Sequence, residues 1–171
     1  AMETGGSSNS PTTEIRHGYQ LDASGLHTCA ILDNGTLMCW GLNNRGQIGD
    51  GSTTNAHTPV WVDLGSGTTV TEVVNGFRHT CATLSNGSLM CWGENSYGQL
   101  GNGQQTQTQT TPVWVDLGVG RTATRIAADY GNTCAIVDNG SLYCWGTNNH
   151  GKLGIDDQQL GVVSTPTWVD L

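Results

Sequence analysis

Apolar residues along this chain come in short runs that do not alternate cleanly with polar ones. Ala30-Ile31-Leu32 and Leu37-Met38-Cys39-Trp40 put apolar side chains on both faces of any strand they form. The runs are brief and bounded by Gly, Asn and Asp, which favours strands over helices. The first third of the chain predicts four strands, near 19–22, 27–32, 36–41 and 59–63. Gly46, Gly49 and Gly51 punctuate the long third connection, and a polar loop precedes Pro59. Pro59, Pro112 and Pro166 are expected at strand starts, where a missing N–H is tolerated. A sheet that is apolar on both faces needs a cover on both, as a blade stacked between neighbouring blades has.

The pattern then recurs. HTCAILDNGTLMCWG at 27–41 returns as HTCATLSNGSLMCWG at 79–93 and NTCAIVDNGSLYCWG at 132–146, a period of 52 and then 53 residues. The match runs on through GLNNRGQIGDG, GENSYGQLGNG and GTNNHGKLGID, and each copy closes on TPVWVDL or TPTWVDL. Residues 19–171 therefore divide into three units, 19–70, 71–123 and 124–171. Residues 1–18 are read as a polar linker whose Ala-Met opening looks like a cloning scar, and the whole as an excised segment of a longer protein. A repeat of about 50 residues holding four strands points to propeller blades.

The pattern H-x-C-A-x-L-x-x-G-x-L-x-C-W-G-x-N-x-x-G-Q-L-G, followed by P-V-x-V, resembles the repeat of the regulator of chromosome condensation family. It does so three times, over about nine-tenths of the chain. The resemblance implies β-propeller blades, of which members of that family carry seven in a ring. This chain departs in having three units and in adding a cysteine pair to each. The expected fold is all-β: propeller-type blades of four antiparallel strands in three repeats of about 52 residues. They form a partial propeller, or part of a ring completed by self-association. Head-to-tail contact between copies suits a chain that opens on a first strand and ends on a last one, although seven is not a multiple of three.

The cysteine pairing follows from turn geometry. With Asp33-Asn34-Gly35 as a three-residue hairpin loop and Gly35 left-handed, Leu32 faces Thr36, and counting back sets Cys29 opposite Cys39. The same count sets Cys81 opposite Cys91 and Cys134 opposite Cys144. Directly opposed residues lie within reach of a disulfide. A metal reading has His27 and His79 two residues before a cysteine in its favour. Against it stand Asn132 at that place in the third unit, a spacing unlike zinc-finger pairs, and the absence of C-x-x-C. Three disulfides imply an oxidising compartment, so an extracellular or cell-surface location.

Charge and chemistry narrow the function. Charged residues are 12% of the chain and the formal net charge is −8, with Lys152 the single lysine. That balance argues against a nucleic-acid partner. No apolar run is long enough for membrane insertion. No nucleophile–base constellation and no phosphate-cradling motif is apparent, so neither catalysis nor a cofactor is expected. Positions identical in all three units are read as scaffold. They include Trp40/Trp92/Trp145 and Trp61/Trp114/Trp168, for which core packing is favoured over sugar stacking. Asn43, Asn95 and Asn148 are expected to bond to loop backbone.

Recognition is sought where the copies differ. Arg45, Tyr97 and His150 share one loop position and are the candidate ligand-binding residues. The loops 50–58, 102–111 and 155–165 also diverge, and Asp50, Asp156 and Asp157 are weak calcium candidates. Asn34, Asn86 and Asn139 satisfy N-x-[ST], though the Asn-Gly turn explains them without a glycan. The leading reading is a non-enzymatic extracellular recognition or adhesion segment that binds a protein or glycan through its variable loops. A secreted enzyme inhibitor is one alternative, because the fold resembles a bacterial β-lactamase-inhibiting propeller. Intracellular regulation of a GTPase or of chromatin, as for the family's namesake, is another.

Overall fold

The computed structural model describes residues 18–155 and 161–171. The expected linker, Gly18 apart, and Asp156 and Asp157 lie outside the described residues. Twelve strands form three four-stranded antiparallel sheets, each in simple up-and-down order. Blade one holds β1 (Gly18–Asp22), β2 (His27–Leu32), β3 (Leu37–Gly41) and β4 (Ala56–Trp61). Blade two holds β5 (Val70–Asn75), β6 (His79–Leu84), β7 (Leu89–Gly93) and β8 (Gln109–Trp114). Blade three holds β9 (Ala123–Asp129), β10 (Asn132–Val137), β11 (Leu142–Thr147) and β12 (Val162–Val169).

The central hairpin of each blade is set by its turn. Gly35 takes φ +77°, its N–H donates to the Leu32 carbonyl at 2.8 Å, and Leu32 N–H donates to the Thr36 carbonyl at 2.9 Å. That register places Cys29 opposite Cys39, Cys81 opposite Cys91 and Cys134 opposite Cys144. All three pairs are disulfide-bonded, each with a Cα–Cα distance of 4.1 Å. The thiolates that a metal site needs are therefore consumed.

Successive blades stack through two different faces, here called trailing and leading. The trailing face of blade one offers Cys29, Ile31, Leu37, Cys39, Ile48 and Val62. Against it lie Val70, Val73, Ala82, Leu84, Met90 and Trp92 of the leading face of blade two. The second junction repeats this with Cys81, Leu89, Cys91 and Leu100 against Ile126, Ala135, Val137 and Trp145. Each internal disulfide thus doubles as an apolar contact inside a blade junction. On the inner side β1 meets β5 and β5 meets β9.

Two expectations need correction. Trp92 and Trp145 are fully buried, but Trp61, Trp114 and Trp168 are 54%, 58% and 53% exposed. The second set stands on β4, β8 and β12, the outermost strand of each blade. The prolines do not start their strands either. Pro59, Pro112 and Pro166 lie inside β4, β8 and β12, where the register to the neighbouring strand shifts. A bulge on an edge strand needs no N–H from that residue.

Candidate functional site

Each β1–β2-type turn and each long β3–β4-type loop leave the same end of the blade. Backbone bonds tie them together: Glu94 N–H donates to the Arg78 carbonyl at 2.8 Å and Thr147 N–H to the Gly131 carbonyl at 2.9 Å. The loops are braced as the sequence suggests. Asn43 Nδ2 donates to the Ser52 and Thr54 carbonyls, and its Oδ1 accepts from Ile48 N–H at 3.0 Å. Asn95 Nδ2 donates to the Gln104 carbonyl, and Leu100 N–H donates to Asn95 Oδ1. In blade three Leu153 N–H donates to Asn148 Oδ1 at 3.1 Å. Asp50 belongs to this bracing, accepting from Asn43 Nδ2 and Ser52 N–H. Among the described residues no three His, Cys, Asp or Glu side chains are grouped to hold a metal ion.

Arg45, Tyr97 and His150 all project from this loop face, but not as one cluster. Arg45 reaches across the junction, its Nε 3.6 Å from Glu94 Oε1, and remains 35% exposed. Tyr97 lies beside Gly131 of the next blade and is partly exposed. His150 is exposed and takes φ +64°, a conformation that neither Arg45 nor Tyr97 shares. Gln47 and Gln99 accept the N–H of Arg45 and Tyr97 through Oε1, and Lys152 at the matching place in blade three is no acceptor.

The inner rim of the same face holds residues that the sequence reading passed over. Phe77 and Tyr130, in the turns of blades two and three, stack with centroids 5.0 Å apart and planes 18° from parallel. The Arg78 guanidinium sits 5.3 Å above the Phe77 ring, within cation–π range. Phe77 and Tyr130 border a hollow of about 120 Å³, lined also by Ser24, Asn75 and Asp129. That volume is well under the roughly 300–1,000 Å³ of small-molecule pockets. The signal for these residues was present: Gly25, Phe77 and Tyr130 occupy one equivalent position and differ among the copies, as Leu26, Arg78 and Gly131 do.

Beneath the loops lies a buried relay at each junction. Thr80 Oγ1 donates to the Gln47 carbonyl at 2.7 Å, and Trp92 Nε1 donates to the same carbonyl at 2.9 Å. Since the Thr80 proton is committed, its oxygen accepts from His27 Nε2–H at 2.6 Å. Thr133, Gln99, Trp145 and His79 repeat the arrangement one blade later. The Nδ1 atoms of His27 and His79 are buried without a partner. A proton there would be a buried charge. Burial accordingly pushes the His27 pKa down to about 4, opposed by the Asp22 charge and by the Asn75 side chain. For His79 burial, reinforced by the charge of His27, pushes it down to about 3, opposed by Asp129. A His–Thr pair at this distance resembles a base and its nucleophile. Here His79, Thr80 and Thr133 are fully buried, and the hydroxyl protons point at backbone carbonyls.

The family is shown by sequence. The profile described as "Regulator of chromosome condensation (RCC1) repeat" matches residues 19–47, 70–99 and 124–152, and a second profile of the same description matches 34–83 and 86–136. The chain belongs to the RCC1 repeat family. Human E3 ubiquitin-protein ligase HERC2 is 31% identical over 134 residues, 77% of this chain and 3% of that protein. The Arabidopsis thaliana Ultraviolet-B receptor UVR8 is 31% identical over 133 residues, 78% of this chain and 30% of that protein. The chain thus spans less than a third of either RCC1-repeat relative. In structure, Saccharomyces cerevisiae Prp20p superposes with a TM-score of 0.82 over 92% of this chain and 39% of its own, at 19% identity. That likeness establishes the fold.

Proposed function

We propose that this chain is a non-enzymatic recognition scaffold that works in an oxidising, extracellular or cell-surface setting. It binds a protein partner through the loop face that carries Arg45, Tyr97 and His150 at the loops and Phe77, Arg78 and Tyr130 at the inner rim. The observation that carries this reading is the stacked Phe77–Tyr130 pair with Arg78 over the Phe77 ring, Tyr130 exposed and Phe77 and Arg78 half-buried, on a rigid scaffold at positions where the repeats differ. Aromatic and Arg side chains are the types that dominate binding energy at protein interfaces. Among RCC1-repeat neighbours, Prp20p binds Gsp1p and histones, which supports protein recognition as the role of such a scaffold. The disulfide in every blade supports the compartment.

The test compares wild type with R45A/Y97A/H150A and with F77A/R78A/Y130A as bait for the secreted and surface proteins of the source cells. A partner retained by the wild type and lost from either variant, with unchanged circular dichroism, supports the assignment. Equal retention by all three sinks it. Non-reducing peptide mapping of protein from its native source tests the compartment. Intact thiols there would favour the intracellular, GTPase- or chromatin-directed reading instead.

A further inference from the structure

The tryptophans of the outer strands are exposed for a reason that lies within each blade. Along β4, Val60 and Val62 turn into the junction with blade two, so Trp61 and Asp63 point the other way. Along and just beyond β8, Val113 and Val115 turn inward and Trp114 and Asp116 outward. The end of β12 repeats this, with Val169 buried and Trp168 and Asp170 exposed. The ladder holds the register, pairing Trp61 with Met38, Trp114 with Met90 and Trp168 with Tyr143. Successive blades meet through inner strands, β2 with β5 and β6 with β9. They also meet through one loop: Gly51 N–H donates to the Thr110 carbonyl at 3.0 Å and Gly103 N–H to the Ser164 carbonyl at 2.9 Å. Both bonds lie toward the start of β8 or β12, away from the tryptophan near its end. Trp114 and Trp168, each with a described blade before it, are 58% and 53% exposed, and Trp61 in the first blade is 54%. A preceding blade therefore does not cover this position.

An indole and a carboxylate thus share one open face in every blade, about 7 Å apart along the strand. Tryptophan is the best of the aromatic rings at holding a cation, which sits within about 6 Å of the ring centre. Among the described residues none of Asp63, Asp116 and Asp170 is in an ion pair. Asp63 Oδ1 accepts from Gly65 N–H and Asp116 Oδ1 from Gly118 N–H, both at 2.9 Å, so Oδ2 of each is open to a further donor. The proline and bulge of each outer strand blunt it against pairing with another strand, so recognition here is by side chains. We propose that this outer rim is a recognition surface separate from the loop face, and that it takes a lysine- and arginine-rich segment of a protein partner. Each cationic head lies over one indole and donates to the carboxylate beside it. One exposed contact of this kind is weak, and its repetition on successive rigid blades makes binding multivalent. The net charge of −8 draws such a segment in and repels an anionic one.

Calorimetric titration of the full 171-residue chain with an octaarginine peptide reads the outcome. An octaglutamate peptide and the neutral oligosaccharide cellohexaose are the comparison probes. The wild type is expected to bind octaarginine, less tightly as salt rises, and to bind neither comparison probe. The triple variant Trp61→Leu, Trp114→Leu, Trp168→Leu keeps the charge and an apolar side chain but removes the rings. It is expected to bind at least about 10-fold more weakly, from about 2- to 5-fold per ring, with an unchanged melting temperature. Asp63→Asn with Asp116→Asn keeps the rings and is expected to weaken binding and flatten its salt dependence. The loop-face variant R45A/Y97A/H150A is expected to bind as the wild type does, which separates this surface from the one proposed above. The proposal is overturned by a wild type that does not bind octaarginine, or by a tryptophan variant that binds it equally, since charge alone would then account for the affinity. Loss of binding in the loop-face variant overturns it too, as does capture of cellohexaose, which would mark a glycan surface.

Discussion

Mild acid should loosen the blade junctions, because each holds a histidine that folds only when neutral. An unfolded chain protonates His27 and His79 near pH 6.5, while the folded chain resists down to about 4 and about 3. Both folded values lie below the unfolded one, so the stabilisation is fully present above pH 6.5. It is lost as pH falls, through about 4 for His27 and about 3 for His79. Linkage gives a loss of about 2.5 kcal/mol per histidine between pH 7 and pH 4.5, hence about 5 kcal/mol together. Domains of this size are stable by only about 5–15 kcal/mol, so the effect is large. Glu72 acts in the opposite sense: burial raises its carboxyl, against a bond from Ile126 N–H and the charge of Arg125, so it stabilises as pH falls.

Urea melts at several pH values, followed by tryptophan fluorescence, measure this directly, since Trp92 and Trp145 report on the two relays. His79→Asn loses a hydrogen bond at pH 7 and removes one of the two titrating groups. Its stability should therefore fall with pH about half as steeply as that of the wild type. A wild-type stability that is flat from pH 7 to 4.5 would refute the reasoning. So would a variant whose acid loss equals that of the wild type, because the protons would then be taken up elsewhere.

Two other perturbations probe the junctions. Gly101→Ala sets a Cβ 2.6 Å from Trp145 Nε1 at φ +70°, whereas at Gly103 (φ +77°) a Cβ would come no nearer than 3.7 Å, to Thr165 Cγ2. Calorimetry should find the first variant less stable than Gly103→Ala by about 1–3 kcal/mol, and equal melting temperatures would contradict the packing described. Each disulfide closes a short loop and contributes about 3 kcal/mol by loop entropy. A phosphine reductant followed by alkylation and mass mapping should open Cys134–Cys144 first, since Cys134 is partly exposed and the other two pairs are fully buried; simultaneous opening would count against that ordering.

The hairpins were legible because their information is local. An Asn-Gly turn fixes the register, and the register fixes the cysteine pairs, within 15 residues of sequence. The Asn43 brace was legible for the same reason, its partners lying 5 to 11 residues away. Recurrence misled where it was taken to mean burial. Trp92 and Trp114 recur with equal regularity, yet one is sealed in a junction and the other stands on an outer strand. Repetition marks equivalent places in successive blades, and only the packing of blade on blade says which face of a strand is covered. The His–Thr relay escaped for a related reason: its members lie 53 and 54 residues apart, in different copies of the repeat.

The relay also separates what stabilises the scaffold from what is free to vary. A junction takes a Thr and a Trp from the following blade, and a His and the carbonyl of a Gln from the preceding one. Blade three keeps the first two as Thr133 and Trp145, and uses them. At the other two places it has Asn132 and Lys152, on the face that no described blade covers. Blade one keeps Thr28 and Trp40 on a leading face that is equally uncovered. The two ends are therefore unequal: the leading end carries a complete half-junction, and the trailing end a half-junction without its buried histidine.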